Sequence, residues 1–229
     1  MKILSIDTST MVSSCSISEN GIVIGDYSVN QEKTHSESLV PMVKRLLEDL
    51  GLKLSDIDLY AVGIGPGSFT GLRIGMTTVK TFAQVFEKPV IGVSTLEALA
   101  YNIYNEGIIM PVLDARGGRT YYGVFSQENG IIKRIEDDEL IYMDELVTRL
   151  KDKYAAITVI GEYSNESYEQ LKGLENVMFA RPSSNNIIAR NISEIALEKY
   201  KSGYEKNLDD ILPNYVRKSQ AQRDLEKRM

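Results

Sequence analysis

Two short turns hold the residues with the most chemical potential. Asp7-Thr8-Ser9-Thr10 follows the first apolar segment, and Asp114-Ala115-Arg116-Gly117-Gly118 follows another near the middle of the chain. Facing each other across a cleft, the two carboxylates could hold hydrated magnesium beside the phosphates of a nucleotide. Each aspartate is equally suited to capping its own turn through the backbone, the commoner use of Asp at such positions. A third segment, Gly65-Pro66-Gly67-Ser68-Phe69-Thr70-Gly71, joins an apolar run to a helical pattern and could turn backbone amides toward an anion. It lacks the Gly-Lys-Ser/Thr of a P-loop, and Gly65, Gly67 and Gly71 miss the G-x-G-x-x-G spacing, which favours a structural turn.

The remaining reactive side chains exclude several chemistries. With one histidine, His35, and one cysteine, Cys15, the chain cannot build a zinc site from paired imidazoles or thiolates, an H-E-x-x-H protease centre or an internal disulfide. His35 has no Ser, Cys or carboxylate placed by sequence to partner it and reads as a helix-start residue. Cys15 reads as a small strand residue, and Tyr121 and Tyr122 as packed strand aromatics rather than a base-stacking platform. The 26 basic and 32 acidic residues leave a net charge of −6, which disfavours unaided binding to a polyanion. Met1 and Lys2 lead straight into a strand pattern with no signal-peptide core, and no apolar run approaches the length of a membrane span. A cytoplasmic protein without a membrane partner is expected.

These residues sit on a pattern that occurs twice. Strands are predicted over 2–7, 12–18 and 22–29, with Asn20-Gly21 as a hairpin turn. Thr34 and Glu37 form a capping box ahead of a helix whose apolar residues are Leu39, Met42, Val43, Leu46, Leu47 and Leu50, and Gly51 ends it. A buried strand over 59–64, a helix to about residue 87, a strand over 89–93 and a short helix from Ser94 complete a first α/β unit. Strands over 108–113, 120–125 and 131–135, with Asn129-Gly130 as a second hairpin turn, repeat the opening meander. Helices over 143–153 and 185–201 flank a strand over 156–160. Two related lobes are predicted, 1–105 and 106–229, the second ending in a basic tail with Arg217, Lys218, Arg223, Lys227 and Arg228.

The first two helices carry more apolar surface than one core-facing stripe needs. Gly67, Gly71 and Gly75 recur every four residues, leaving a notch where another helix could approach. Phe69, Leu72, Ile74, Met76, Val79, Phe82, Val85 and Phe86 spread around the second helix, which points either to a subunit interface or to burial within this chain.

Taken together, Ile3-Leu4-Ser5-Ile6-Asp7-Thr8-Ser9, His35-Ser36-Glu37-Ser38-Leu39-Val40-Pro41, Gly63-Ile64-Gly65-Pro66-Gly67-Ser68-Phe69-Thr70-Gly71-Leu72-Arg73, Gly92-Val93-Ser94-Thr95-Leu96-Glu97-Ala98-Leu99-Ala100, Asp114-Ala115-Arg116 and Pro213-Asn214-Tyr215-Val216-Arg217 closely resemble the bacterial TsaB (YeaZ) family. The resemblance implies the actin/Hsp70/sugar-kinase superfold, an α/β architecture of two ribonuclease H-like lobes, each a mixed sheet flanked by helices. It also implies a noncatalytic scaffold role in making threonylcarbamoyladenosine on tRNA, at the adenosine next to the anticodon of tRNAs reading codons that begin with A. In that family the chemistry belongs to the paralogue TsaD, with its His-x-x-x-His metal motif. Here His35 is followed by Leu39, so the second ligand is missing and no catalytic or metal-binding residue is expected.

The same resemblance implies direct pairing with TsaD through the first two helices, a homodimer when TsaD is absent, assembly with the ATPase TsaE, and contact with tRNA through the complex alone. His35, Leu39, Met42, Val43, Leu46, Gly67, Ser68, Phe69, Gly71, Leu72, Arg73 and Gly75 are the implied partner-binding residues. Asp7, Thr8, Ser9 and Asp114 would form a vestigial nucleotide site, because Ser9, whose side chain would crowd backbone approach to a phosphate, and Arg116 stand where active relatives have glycines. ATP and magnesium are then used by the complex and not bound by this chain alone. The competing expectation is a small ATP-dependent enzyme using Asp7 and Asp114 around magnesium.

Overall fold

A computed structural model describes residues 1–30, 35–151, 153–204 and 208–216. Thr34 of the expected capping box and the basic tail from Arg217 onward lie outside the described residues.

The alternation of short β-rich runs and Asn-Gly turns produces the first meander: β1 (Lys2–Asp7), β2 (Val12–Glu19) and β3 (Ile22–Asn30), all antiparallel. Asn20 and Gly21 both take positive φ, as a tight hairpin turn requires. After α1 (His35–Leu50) the chain enters β4 (Leu59–Gly65), parallel to β1. Then α2 (Phe69–Phe86) leads to β5 (Val90–Ser94), parallel to β4, and α3 (Thr95–Ala100). The sheet order is β3-β2-β1-β4-β5.

The second sheet repeats that plan. Its antiparallel meander is β6 (Gly107–Asp114), β7 (Arg119–Glu128) and β8 (Ile131–Tyr142), followed by α4 (Met143–Leu150), β9 (Ile157–Gly161), α5 (Asn165–Lys172) and β10 (Val177–Phe179). With β9 parallel to β6 and β10 parallel to β9, the order is β10-β9-β6-β7-β8. Both units are thus mixed five-stranded sheets: the duplicated sequence pattern predicted two related mixed-sheet lobes, and their topology is the ribonuclease H-like one that the resemblance implied. β10 and α5 have no counterpart in the sequence prediction, since each is too short for its periodicity to stand out.

The chain does not divide once near residue 105. One compact unit comprises Met1–Leu99 and Asn186–Pro213, and the other Ala100–Asn185 with the described residues from Asn214. The reason is α6 (Ala189–Lys201), which lies on the face of the first sheet that carries Ser14, Ser16 and Ser18. Ser14 Oγ accepts the Ala189 amide at 2.8 Å, the Ser18 and Ser193 hydroxyls bond each other, and Asn191 Nδ2 donates to the Ala98 carbonyl at 2.9 Å. The predicted helix over 185–201 begins four residues late because Asn185 is otherwise engaged: its Oδ1 accepts the Gly161 amide at 3.1 Å within the second unit.

On the opposite face of the first sheet, Leu4 and Ile6 of β1 and Cys15 and Ile17 of β2 meet Leu39, Val43, Leu46 and Leu47 of α1 and Met76, Val79 and Ala83 of α2. The second core gathers Met110, Val112, Tyr122, Val124, Ile157 and Val159 beneath Leu146, Leu150 and Leu171. Burial pushes the Cys15 thiol up to about 12. A group whose folded pKa is raised supports the fold below its unfolded pKa and loses that support as pH rises through the folded value, so this contribution fades from about pH 9 upward. Because Cys15 is the sole thiol of the chain, Ellman's reagent is expected to label native protein at the rate of global opening and urea-unfolded protein within seconds. Rapid labelling of native protein would show the first core to be open.

Among the described residues no helix is long and apolar enough to cross a membrane.

Candidate functional site

The turn between β1 and β2 is held by its own bonds and from two sides. Asp7 ends β1 with 1% of its surface exposed, and its Oδ1 accepts both the Ser9 amide at 3.0 Å and the Ser9 hydroxyl at 2.7 Å. Thr10 Oγ1 accepts the Val12 amide at 3.2 Å. From α1, His35 closes one side: its Nε2 lies 2.7 Å from the Thr10 carbonyl and its Nδ1 2.6 Å from Ser13 Oγ. A carbonyl can only accept, so Nε2 donates to Thr10, while Nδ1 and the Ser13 hydroxyl share the second bond. Both ring nitrogens are therefore engaged inside the chain, although no sequence neighbour announced their partners. Replacing His35 with alanine leaves the buried Ser13 hydroxyl and the Thr10 carbonyl without their partner and is expected to cost about 1–3 kcal/mol, read as a lower urea midpoint. An unchanged midpoint would show that the imidazole does not hold this turn.

The glycine-rich segment closes the other side. Ser68 caps α2 by accepting the Gly71 amide at 3.2 Å, and its own amide donates to the Ser9 carbonyl at 2.7 Å. Thr8 Oγ1 donates to the Gly71 carbonyl at 2.7 Å. The glycine notch faces this turn. A Cβ on Gly67 would stand 2.5 Å from the Ser9 carbonyl oxygen, one on Gly75 2.5 Å from Thr8 Oγ1, and one on Gly71 would overlap the Thr8 carbonyl oxygen. Glycine at these positions lets the helix reach the backbone of the β1–β2 turn.

That geometry corrects the expectation that the notch and the apolar surplus form a partner surface. Leu39, Val43, Leu46 and Leu72 are at most 2% exposed, and Gly71 and Gly75 are buried. Ile74 and Phe82 pack against the same core, Phe82 lying 6.1 Å from the Tyr60 ring. Two buried sides of α2 arise because it meets the sheet on one side and α1 on another. His35, Met42, Gly67 and Phe69 are half-buried, while Ser68 and Arg73 are exposed, with the Arg73 guanidinium 4.0 Å above the Phe69 ring. Val40 and Val85 also face outward, at 49% and 67% exposure.

At the end of β6, Asp114 Oδ1 accepts the Arg116 amide at 2.8 Å, repeating the bond from Ser9 to Asp7. Each aspartate thus caps its own turn. Glu162, just after β9, is pushed above the usual carboxylate range by burial and then by the nearby charge of Asp114.

The donor set of the β1–β2 turn does not fit a phosphate. Its Ser9 amide and hydroxyl are directed at Asp7, and Ser9 Cβ would lie 2.8 Å from a Cβ on Gly67, so the side chain fills the space a glycine would leave.

Residues 23–222 match the family model described as TsaD: tRNA N6-adenosine threonylcarbamoyltransferase. The tRNA threonylcarbamoyladenosine biosynthesis protein TsaB of Bacillus subtilis (strain 168) is 32% identical over 228 residues, covering 97% of this chain and 96% of the relative. Its namesake from Escherichia coli (strain K12) is 28% identical over 229 residues, covering 98% of each. Among solved structures, YeaZ from Pseudomonas aeruginosa superposes with a TM-score of 0.78 at 24% identity, covering 93% of this chain and 99% of that one. A second Pseudomonas aeruginosa structure, of an uncharacterized protein with similarity to peptidase YeaZ, gives 0.80 over 94% and 99%. At that identity the two structures speak to the fold alone.

Proposed function

Because the chain belongs to the TsaB (YeaZ) family and so has a role in tRNA threonylcarbamoyladenosine biosynthesis, we propose that it serves there as a noncatalytic subunit. In this reading it pairs directly with the catalytic paralogue TsaD, works with the ATPase TsaE, and enables threonylcarbamoyl transfer to the adenosine beside the anticodon of tRNAs reading codons that begin with A. Without TsaD it forms a homodimer. The setting is cytoplasmic, tRNA is met through the complex, and ATP and magnesium are used by the complex rather than held by this chain.

The observation that supports a noncatalytic role is the closed β1–β2 turn. Asp7 is occupied with the two donors of Ser9, and the backbone of α2 and its cap fasten Thr8 and Ser9 from the far side. A phosphate would have to displace bonds that are already made, whereas an anion site presents donors that are free to turn toward it.

Partner contact then falls to the outward residues of α1 and α2: Val40, Met42, Ser68, Phe69, Arg73 and Val85. An arginine stacked on an aromatic ring, beside separate apolar side chains, is the composition of an interface anchor. Gly71 is no probe of this surface, since any side chain there strikes Thr8 inside the chain.

Deleting the gene and measuring threonylcarbamoyladenosine in total tRNA by mass spectrometry tests the role. Loss of the nucleoside, restored by the wild-type gene, is expected; an unchanged level would contradict it.

A further inference from the structure

The turn between β6 and β7 departs from ordinary capping in ways that the proposed function does not use. Arg116, Gly117 and Gly118 take φ of 60°, 64° and 68°, three consecutive left-handed residues. Glycine adopts this conformation freely, but an arginine there is strained by roughly 1 kcal/mol or more, a cost that tends to gather at functional sites. The Arg116 amide is taken by Asp114, whereas those of Gly117 and Gly118 donate to no acceptor among the described residues, and both glycines are exposed.

The charges around the turn are also unusual for an acidic chain. Among the described residues no carboxylate lies within 4.0 Å of the Arg116 or Arg119 guanidinium, while Arg45, Arg134, Arg149 and Arg190 are each paired. Arg119 Nε is buried and makes no hydrogen bond. Its Nη2 lies 3.8 Å from where a Cβ on Gly117 would be, so the guanidinium leans over the turn. On its other side the Arg119 guanidinium is 5.9 Å from the Tyr142 ring, which is 61% exposed at the end of β8. The Met143 amide, at the start of α4, donates to the Gly118 carbonyl at 2.9 Å, which brings Asp144 and Glu145 close in sequence to the turn, but Asp144 accepts from Gln170, Glu145 from Arg149, and Asp114 is bound to the turn backbone.

We infer that this turn is an RNA contact: Arg116, Arg119 and the Gly117 and Gly118 amides take a backbone phosphate of single-stranded RNA, and Tyr142 stacks the adjoining base. Cations that follow the backbone, together with an exposed aromatic face, form the general recipe for binding single strands. Choosing RNA over a mononucleotide rests on the reading of this chain as a tRNA-modification subunit. The acidic balance makes such a contact one part of a larger tRNA footprint, not a high-affinity site by itself.

The test uses the full chain at low salt, with amide NMR and fluorescence anisotropy, and three probes: a single-stranded RNA oligonucleotide spanning an anticodon loop, ATP and inorganic phosphate. RNA is expected to shift the Gly117 and Gly118 amides and to bind at least tenfold more tightly than ATP. Arg116→Ala with Arg119→Ala should weaken RNA about tenfold or more, and Tyr142→Ala about fivefold or more, with Tyr142→Phe near wild type. All of these side chains are on or near the surface, and matching thermal melts will show that the variants fold. Shifts elsewhere, wild-type RNA affinity in the double variant, or ATP or phosphate binding this turn as tightly as RNA would each overturn the inference. Deletion that leaves threonylcarbamoyladenosine intact would instead remove the functional reading while leaving a mapped RNA site standing.

Discussion

Gly71→Ala is expected to destabilise the first unit by about 3 kcal/mol or more, although alanine is the better helix former by roughly 1 kcal/mol. The new methyl would overlap the Thr8 carbonyl oxygen, a backbone atom that can yield only if α2 lifts away from the β1–β2 turn. Lifting it breaks the bond from Thr8 to the Gly71 carbonyl and the bond from Ser68 to Ser9. Gly75→Ala is the internal comparison. Its methyl meets the Thr8 hydroxyl, a side-chain atom that can rotate, so a smaller loss is expected. Urea denaturation followed by far-ultraviolet circular dichroism measures both. Equal midpoints for Gly71→Ala and wild type would mean that the helix does not seat on the turn as described.

Arg73→Glu is expected to leave stability within about 0.5 kcal/mol of wild type while weakening association with TsaD at least tenfold. The side chain is exposed on α2, and its guanidinium lies over Phe69, so reversing its charge changes what the surface offers a partner without reaching the core. Analytical ultracentrifugation of the purified pair reads the association. Threonylcarbamoyladenosine in a deletion strain carrying the variant should fall with it. If the variant pairs and complements as well as wild type, the interface lies elsewhere on the chain.

Much of this architecture was legible because its signals are local. Asn20-Gly21 and Asn129-Gly130 mark the two meanders, and the apolar spacing from Leu39 to Leu50 gives α1. The doubled order of strands follows from those patterns occurring twice. What the sequence could not show was direction. A stripe of Gly67, Gly71 and Gly75 looks the same whether it faces another subunit or this chain's own β1–β2 turn, and only the three-dimensional placement of Thr8 and Ser9 decides between them. The return of α6 to the first sheet was hidden for a related reason: Ala189, Ile192, Ile195 and Ala196 mark a buried face but not which sheet it covers, and the bonds that seat it join Ala189, Asn191 and Ser193 to Ser14, Ala98 and Ser18, far away in sequence. The partners of His35, Thr10 and Ser13, stand 25 and 22 residues away in sequence, beyond the reach of any spacing rule.

The aspartate turn of β1 is closed by its own bonds, and the proposed noncatalytic role depends on that closure. Isothermal titration of the purified chain with ATP and magnesium, followed by a hydrolysis assay on the same sample, tests the closure most directly. No binding tighter than about millimolar and no turnover by the chain alone are expected; micromolar affinity with ATP hydrolysis that Asp7→Asn abolishes would contradict the proposed role.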